Sequence, residues 1–232
     1  VYRLLKSNIL QGTFVALTFA QAKDTLWDPF YGNVLESPWF CSYHEMLDSY
    51  GSKYGEELYN IKATFLLYKH RRLYLYPAGP DLRVLRGKTR FLAGIDELGL
   101  FPNDASAMKN IKMNAHEVYT SLENSLATVR QASTLCLESG FYNVPQALFI
   151  NISSPFSVRD KIMELVRKSQ NSSGILGWHK ATWEMNPTLP LSCQYLTNKF
   201  RDDPIGAMRD FGAKPPLTNN GFITNRDYVT SN

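Results

Sequence analysis

The chain has 232 residues, 44% of them hydrophobic and 20% charged, which is enough to bury one sizeable core and too apolar for a disordered segment. A net charge of +4 and a pI near 8.9 permit a polyanionic partner such as DNA without requiring one. Cys41, Cys136 and Cys193 are far apart and in no C-x-x-C pairing, which speaks against a disulfide framework or a zinc site, and no apolar run approaches the roughly 20 residues of a membrane span.

Val1, Leu4, Leu5 and Ile9 fit the middle of an amphipathic segment, and with no initiating Met and no apolar leader the chain reads as an interior piece of a longer soluble protein. Gly12-Thr13 is expected to break that segment before Phe14–Phe19, a continuous apolar run suited to a buried parallel strand. Ala22, Leu26, Phe30 and Val34 recur at helical spacing around Pro29, which should kink or divide the helix, and Ser37-Pro38-Trp39-Phe40 should close it. Two strand-like runs, Thr64–Tyr68 and Leu73–Tyr76, flank Lys69-His70-Arg71-Arg72 and predict a hairpin with a basic end, either solvated or in contact with phosphates.

A loop carrying Leu85-Arg86-Gly87 leads into Phe91-Leu92-Ala93-Gly94-Ile95-Asp96-Glu97, an apolar strand ending in two acids. The longest helical pattern follows, from Asn114 to about Glu138, with Ala115, Val118, Leu122, Val129, Ala132, Leu135 and Cys136 on one face and Gly140 beyond. Ala147–Ile152 predicts another buried strand, ending at Ser153-Ser154-Pro155. A helix over about Val158–Lys168 and a last strand over Gly177–Met185 complete the pattern. Alternating apolar strands and helices predict an α/β fold, a mainly parallel sheet flanked by helices, over residues 1–187. Pro190, Pro204, Pro215-Pro216 and the polar tail predict a small helical appendage and linker over 188–232.

In open α/β sheets, ligands bind beyond the carboxyl ends of the strands. Asp96-Glu97 and Ser153-Ser154-Pro155 both fall at such ends. Paired carboxylates there suit ATP hydrolysis: one holds Mg²⁺ through its water shell and the other orients the attacking water. The same pair would equally suit a helix N-terminus, where acids complement the dipole. Arg86, ten positions before Asp96, has the placement of an arginine finger given to a neighbouring subunit, or of a solvated Arg before a turn. Gly87-Lys88-Thr89 imitates the end of a G-x-x-x-x-G-K-[ST] phosphate loop, but Leu82 stands where the first Gly is needed and the segment enters a strand rather than a helix. No other Gly-rich phosphate loop exists in the sequence.

Taken in order, Leu85-Arg86-Gly87, Ile95-Asp96-Glu97, Ile152-Ser153-Ser154-Pro155, Trp183-Glu184-Met185-Asn186-Pro187 and Arg209-Asp210-Phe211-Gly212-Ala213 resemble the large terminase subunit of tailed bacteriophages, with Gln21-Ala22 and Ser37-Pro38-Trp39-Phe40 adding to the likeness. The resemblance implies an additional-strand P-loop NTPase using ATP and Mg²⁺, working as a homo-oligomeric ring in the cytoplasm of the infected bacterial host. Its implied partners are double-stranded viral DNA, a portal protein and a small terminase subunit, with no membrane. By position, the resemblance makes Asp96 the Walker B magnesium ligand and Glu97 the activator of water. It makes Ser153, Ser154 and Pro155 the motif coupling hydrolysis to movement, and Arg86 the trans-acting finger. The family's phosphate loop would lie upstream of Val1 and its nuclease downstream of Asn232. Two other readings stand beside it: a non-catalytic DNA-binding or assembly module, and a helicase-like additional-strand ATPase.

Overall fold

The computed structural model describes residues 10–102, 114–140 and 146–215. The first strand, β1 (Leu10–Val15), takes in Gly12 and Thr13 and ends at Val15 rather than running over Phe14–Phe19, and the opening segment Val1–Ile9 lies outside the described residues. The glycine serves packing: a Cβ on Gly12 would run into the Leu75 side chain and stand 3.3 Å from Leu92 Cβ.

Thr18 then starts a helical run, its Oγ1 accepting from Gln21 N at 3.1 Å. The run is α-helical over Phe19–Gln21, π-helical over Ala22–Trp27 and α-helical again in α1 (Asp28–Glu36). Pro29 sits in the first turn of α1, where the hydrogen bonding passes from π to α while Trp27 and Asp28 both keep helical backbone, so the run changes type there without being broken. Ser37, in extended backbone after Glu36, closes α1 as the sequence suggested, but Trp39 and Phe40 belong to a further helix. Pro38 occupies the first position of a new 17-residue helix, α2 (Pro38–Tyr54), where its missing N–H costs nothing, and Gly55 ends it at φ 68°.

Strands β2 (Tyr59–Lys62), β3 (Phe65–Tyr68) and β4 (Leu73–Ala78) follow as an antiparallel meander. The expected hairpin is β3–β4, its turn a 3₁₀ segment over Lys69–Arg71 with Arg72 at φ 52°. A one-turn helix, α3 (Leu82–Leu85), capped by Asp81, leads to β5 (Arg90–Asp96). Helix α4 (Ala115–Glu138) is capped by Asn114, whose Oδ1 accepts from His116 N and Glu117 N, and returns the chain to β6 (Leu148–Ile152).

The strand order is β2-β3-β4-β1-β5-β6. Pairings β4–β1, β1–β5 and β5–β6 are parallel, so Val15, Ala78, Asp96 and Ile152 end at one common edge. One face of the sheet carries a core of Trp27, Val34, Leu47, Leu66, Tyr68 and Leu75, with Phe14 and Phe30 against Trp27. Trp27 is fully buried and its Nε1 donates to Ala63 O at 2.8 Å, which satisfies the indole's one polar atom. Helix α4 packs against β5 and buries Val118, Leu122, Leu126 and Val129, each contributing about 1.5–3 kcal/mol of transfer free energy. Strand β6 is not the buried strand its composition suggested. Phe149 stacks on Tyr119 of α4 at 4.9 Å, while Leu148, Ile150 and Ile152 point away and are 40–57% exposed.

The chain divides into two compact units, residues 1–152 and 153–232. In the second, α5 (Lys161–Ser169) follows a turn closed by Asp160, whose Oδ2 accepts from Phe156 N and Ser157 N. The strand expected over Gly177–Met185 does not form. Residues 175–181 are irregular, and Thr182–Met185 is a one-turn helix, α6, because Glu184 reaches back to accept from Ala181 N at 2.7 Å. That N–H holds the exposed Glu184 carboxyl below the usual carboxylate range. Thr182 N is also committed, donating to Phe211 O at 2.8 Å. Helices α7 (Gln194–Asp202) and α8 (Pro204–Asp210) supply the helical character expected of the C-terminal region, with Asp203 capping α8.

Candidate active site

Asp96 is the last residue of β5 and sits half-buried at the common carboxyl edge of the four parallel strands. Its Oδ1 accepts from the Glu97 backbone N–H at 3.1 Å, and its Oδ2 lies 3.2 Å from Thr25 Oγ1. That hydroxyl is also 2.8 Å from Gln21 O. A threonine has one proton to donate, so the carboxylate shares its second donor with a carbonyl. A carboxylate has about four acceptor positions. These two contacts leave it capacity for a cation's water shell.

Thr25 was not among the candidates, because nothing in its local sequence marks it. It lies on the π-helical stretch after β1, and only the adjacency of β1 and β5 brings it to Asp96. The parity of the strands agrees: Phe14 pairs Gly94 on the Trp27 face, and Asp96 is two residues further along that face.

Glu97 has φ 54° and ψ 41°, a left-handed conformation uncommon for any residue but glycine and asparagine. It is followed by one 3₁₀ turn, Leu98–Leu100, with Leu98 and Gly99 buried. The helix-start reading of Asp-Glu thus reduces to a three-residue turn. The buried Leu98 pins the chain immediately after Glu97 and over-determines its backbone, as strained residues at functional sites require.

Arg86 caps α3 and reaches α4: its Nη2 donates to Glu117 Oε2 at 2.8 Å and its Nε to Ser121 Oγ at 3.4 Å. The pair is well exposed. Gly87-Lys88-Thr89 is not a phosphate loop: Gly87 has φ 72°, β5 follows directly, and Lys88 Nζ lies over the Tyr76 ring at 4.9 Å. Beside it, Arg90 is fully buried, its Nη1 donating to Leu85 O at 2.6 Å and its Nη2 to Tyr76 Oη at 3.2 Å, and burial pushes its pKa down.

In the second unit, Ser153 Oγ donates to Ser154 O at 2.9 Å and Pro155 is buried. Register sets Ile152, the last residue of β6, opposite Asp96, and Ser153 is the next residue in the chain.

For a magnesium ion the residues fit. Mg²⁺ is usually held by one or two carboxylates, waters and substrate phosphates rather than a protein cage, and among the described residues no group of three or more metal-ligating side chains occurs. For a triphosphate the fit is incomplete, since no glycine-rich loop follows a strand in this sequence. A hollow of about 360 Å³ near β2, lined by Asp48, Glu56, Glu57 and Tyr59, has the wrong charge for phosphates. Among the described residues no helix is long and apolar enough to cross a membrane.

No protein-family model and no curated protein sequence matches the chain. Among solved structures it is similar to the large terminase ATPase domain of Thermus phage P74-26, at 13% identity and a TM-score of 0.51, over 92% of this chain and 79% of that one. At this identity the likeness concerns the fold. The chain has an α/β fold, a mixed six-stranded sheet flanked by helices, like that domain.

Proposed function

We propose that this chain is part of an ATP-hydrolysing motor of the viral DNA-packaging kind, moving double-stranded DNA into a procapsid from a ring seated on a portal protein. The observation that carries the reading is the Asp96-Glu97 tip: a half-buried carboxylate at the carboxyl edge of a parallel sheet, followed by a carboxylate on a left-handed backbone. Asp96 would hold the water shell of Mg²⁺, and Glu97 would hold the attacking water and take its proton as the new bond to the γ-phosphorus forms and the bond to the oxygen departing with ADP breaks. Bound Mg²⁺ neutralises charge developing on the phosphate oxygens. Ser153, Ser154 and Pro155 couple hydrolysis to movement, and residues 188–232 serve as lid and linker. The phosphate loop comes from outside this sequence.

The test has two arms. The chain as it stands should release no phosphate from ATP, and turnover that Glu97→Gln abolishes would refute the need for a phosphate loop from elsewhere. In the full-length protein Glu97→Gln should bind ATP and not hydrolyse it; unchanged kcat removes Glu97 from its role.

A further inference from the structure

Beside the β3–β4 hairpin, two strands along the sheet from β5, an aromatic pair adjoins a basic turn. Trp39 and Tyr43, one turn apart on α2, stack with ring centroids 5.4 Å and planes 18° apart. Phe40 meets the indole edge-on at 4.9 Å, which restricts its rotation. Trp39 is nonetheless 65% exposed and takes no part in the core. Tyr43 joins this pair to the β3–β4 turn: its hydroxyl lies 2.8 Å from His70 Nε2. Lys69, His70, Arg71 and Arg72 are all exposed there, and Lys69 pairs with Glu57. The 3₁₀ geometry and the left-handed Arg72 fix the direction in which the turn presents its charges.

A rigid, mostly exposed indole next to a cationic turn has the two elements that single-stranded nucleic acid needs. An unpaired base offers a π-face for stacking and its flanking phosphates offer charge. In a duplex the bases are already stacked on one another, so the indole would find no free face. We propose that Trp39, Tyr43 and the Lys69–Arg72 turn form a binding surface for single-stranded nucleic acid, one unpaired base stacking on Trp39 while Arg71 meets a neighbouring phosphate. The surface is separate from the Asp96–Glu97 site and does not depend on nucleotide hydrolysis.

The test titrates the chain with fluorescein-labelled oligo-dT and with the same strand annealed to oligo-dA. Oligo-dT should bind, quench tryptophan emission and weaken steeply with salt. Trp39→Leu should weaken it about tenfold, Trp39→Tyr should retain most of it, and Arg71→Glu should both weaken it and flatten the salt dependence. Equal affinity for Trp39→Leu and the unaltered chain overturns the proposal, as does a preference for duplex. So does a concentration-dependent dimer in sedimentation that Trp39→Leu abolishes while oligo-dT fails to bind, which would give the surface to a second copy. Trp39 and Arg71 are surface positions outside the carboxylate site, so failure here leaves the ATPase reading standing, and loss of ATP hydrolysis in Glu97→Gln leaves this one standing.

Discussion

Thr25 Oγ1 lies 3.2 Å from Asp96 Oδ2, so the segment leaving β1 holds the tip of β5. Because the hydroxyl also faces Gln21 O at 2.8 Å, the carboxylate is positioned by a shared proton rather than saturated. Thr25→Val should therefore cost less than about 1 kcal/mol in urea unfolding, the low end for a hydrogen bond at a solvated site. In the full-length protein it should raise the Mg²⁺ concentration needed for half-maximal hydrolysis by a few fold. Asp96→Asn should abolish the Mg²⁺ response altogether. Equal Mg²⁺ titrations for Thr25→Val and the unaltered protein would show that Thr25 does not position Asp96.

Glu97 combines an unfavourable backbone with the side chain proposed to activate water, and two substitutions separate the two. Glu97→Gly relieves the left-handed φ of 54° and should stabilise the chain by up to about 1 kcal/mol. Glu97→Gln keeps the backbone cost and should leave stability unchanged. Both should eliminate hydrolysis. If Glu97→Gly instead destabilised the chain, the carboxylate would be a structural cap and its place in catalysis would fall.

The strand carrying these acids was legible because its neighbours demand close packing. Gly94 dilutes the apolar run in composition only: a Cβ there would stand 3.1 Å from Phe14 Cδ1. Gly94→Ala should cost about 1–2 kcal/mol by overpacking, measured by urea denaturation. A neutral result would mean Phe14 can move aside. The α4 face was read from its three- and four-residue spacing, and Val118, Leu122 and Val129 are buried as that spacing requires. Helix α2 was not legible, because Trp39, Met46, Tyr50 and Tyr54 leave an apolar stripe exposed and blur the contrast that marks an amphipathic helix. The irregular 175–181 segment was misread for the converse reason. Ile175, Leu176 and Trp178 supply strand-like composition, but Leu176 and Trp178 are 81% and 75% exposed and no ladder forms.

His44 makes stability depend on pH. Its Nε2 is 2.9 Å from Tyr68 Oη and its ring stacks on Tyr59 at 4.8 Å. Burial lowers its pKa from 6.5, with Asp48 opposing the shift. Burial first pushes the Tyr59 and Tyr68 phenols up to about 12, so both remain neutral donors here. A histidine whose folded pKa lies below its unfolded value binds fewer protons when folded, so its contribution is intact above 6.5 and is lost as pH falls below it. The urea midpoint should therefore drop between about pH 7 and pH 5.5, within the range where histidines titrate. His44→Gln should flatten that drop, and an unchanged slope would assign it to other groups.

Arg86 offers the sharpest separation of structure from function. Its ion pair with Glu117 is exposed on both sides, 62% and 40%, and exposed pairs contribute about 0–1 kcal/mol. Arg86→Ala should thus shift urea stability by less than about 1 kcal/mol, and Glu117→Gln by a similar amount. A finger given to a neighbouring subunit carries about a 10³-fold or larger share of the rate. In the assembled full-length protein Arg86→Ala should then lower kcat by orders of magnitude with nucleotide affinity retained, while Glu117→Gln, by releasing the guanidinium from α4, should leave kcat intact or raise it. Mixing Arg86→Ala subunits with Glu97→Gln subunits should restore part of the activity, because an intact Arg86 from one would face an intact Glu97 in the other. Absence of that rescue, with both variants folded and assembled, would confine Arg86 to its contact with Glu117 and Ser121.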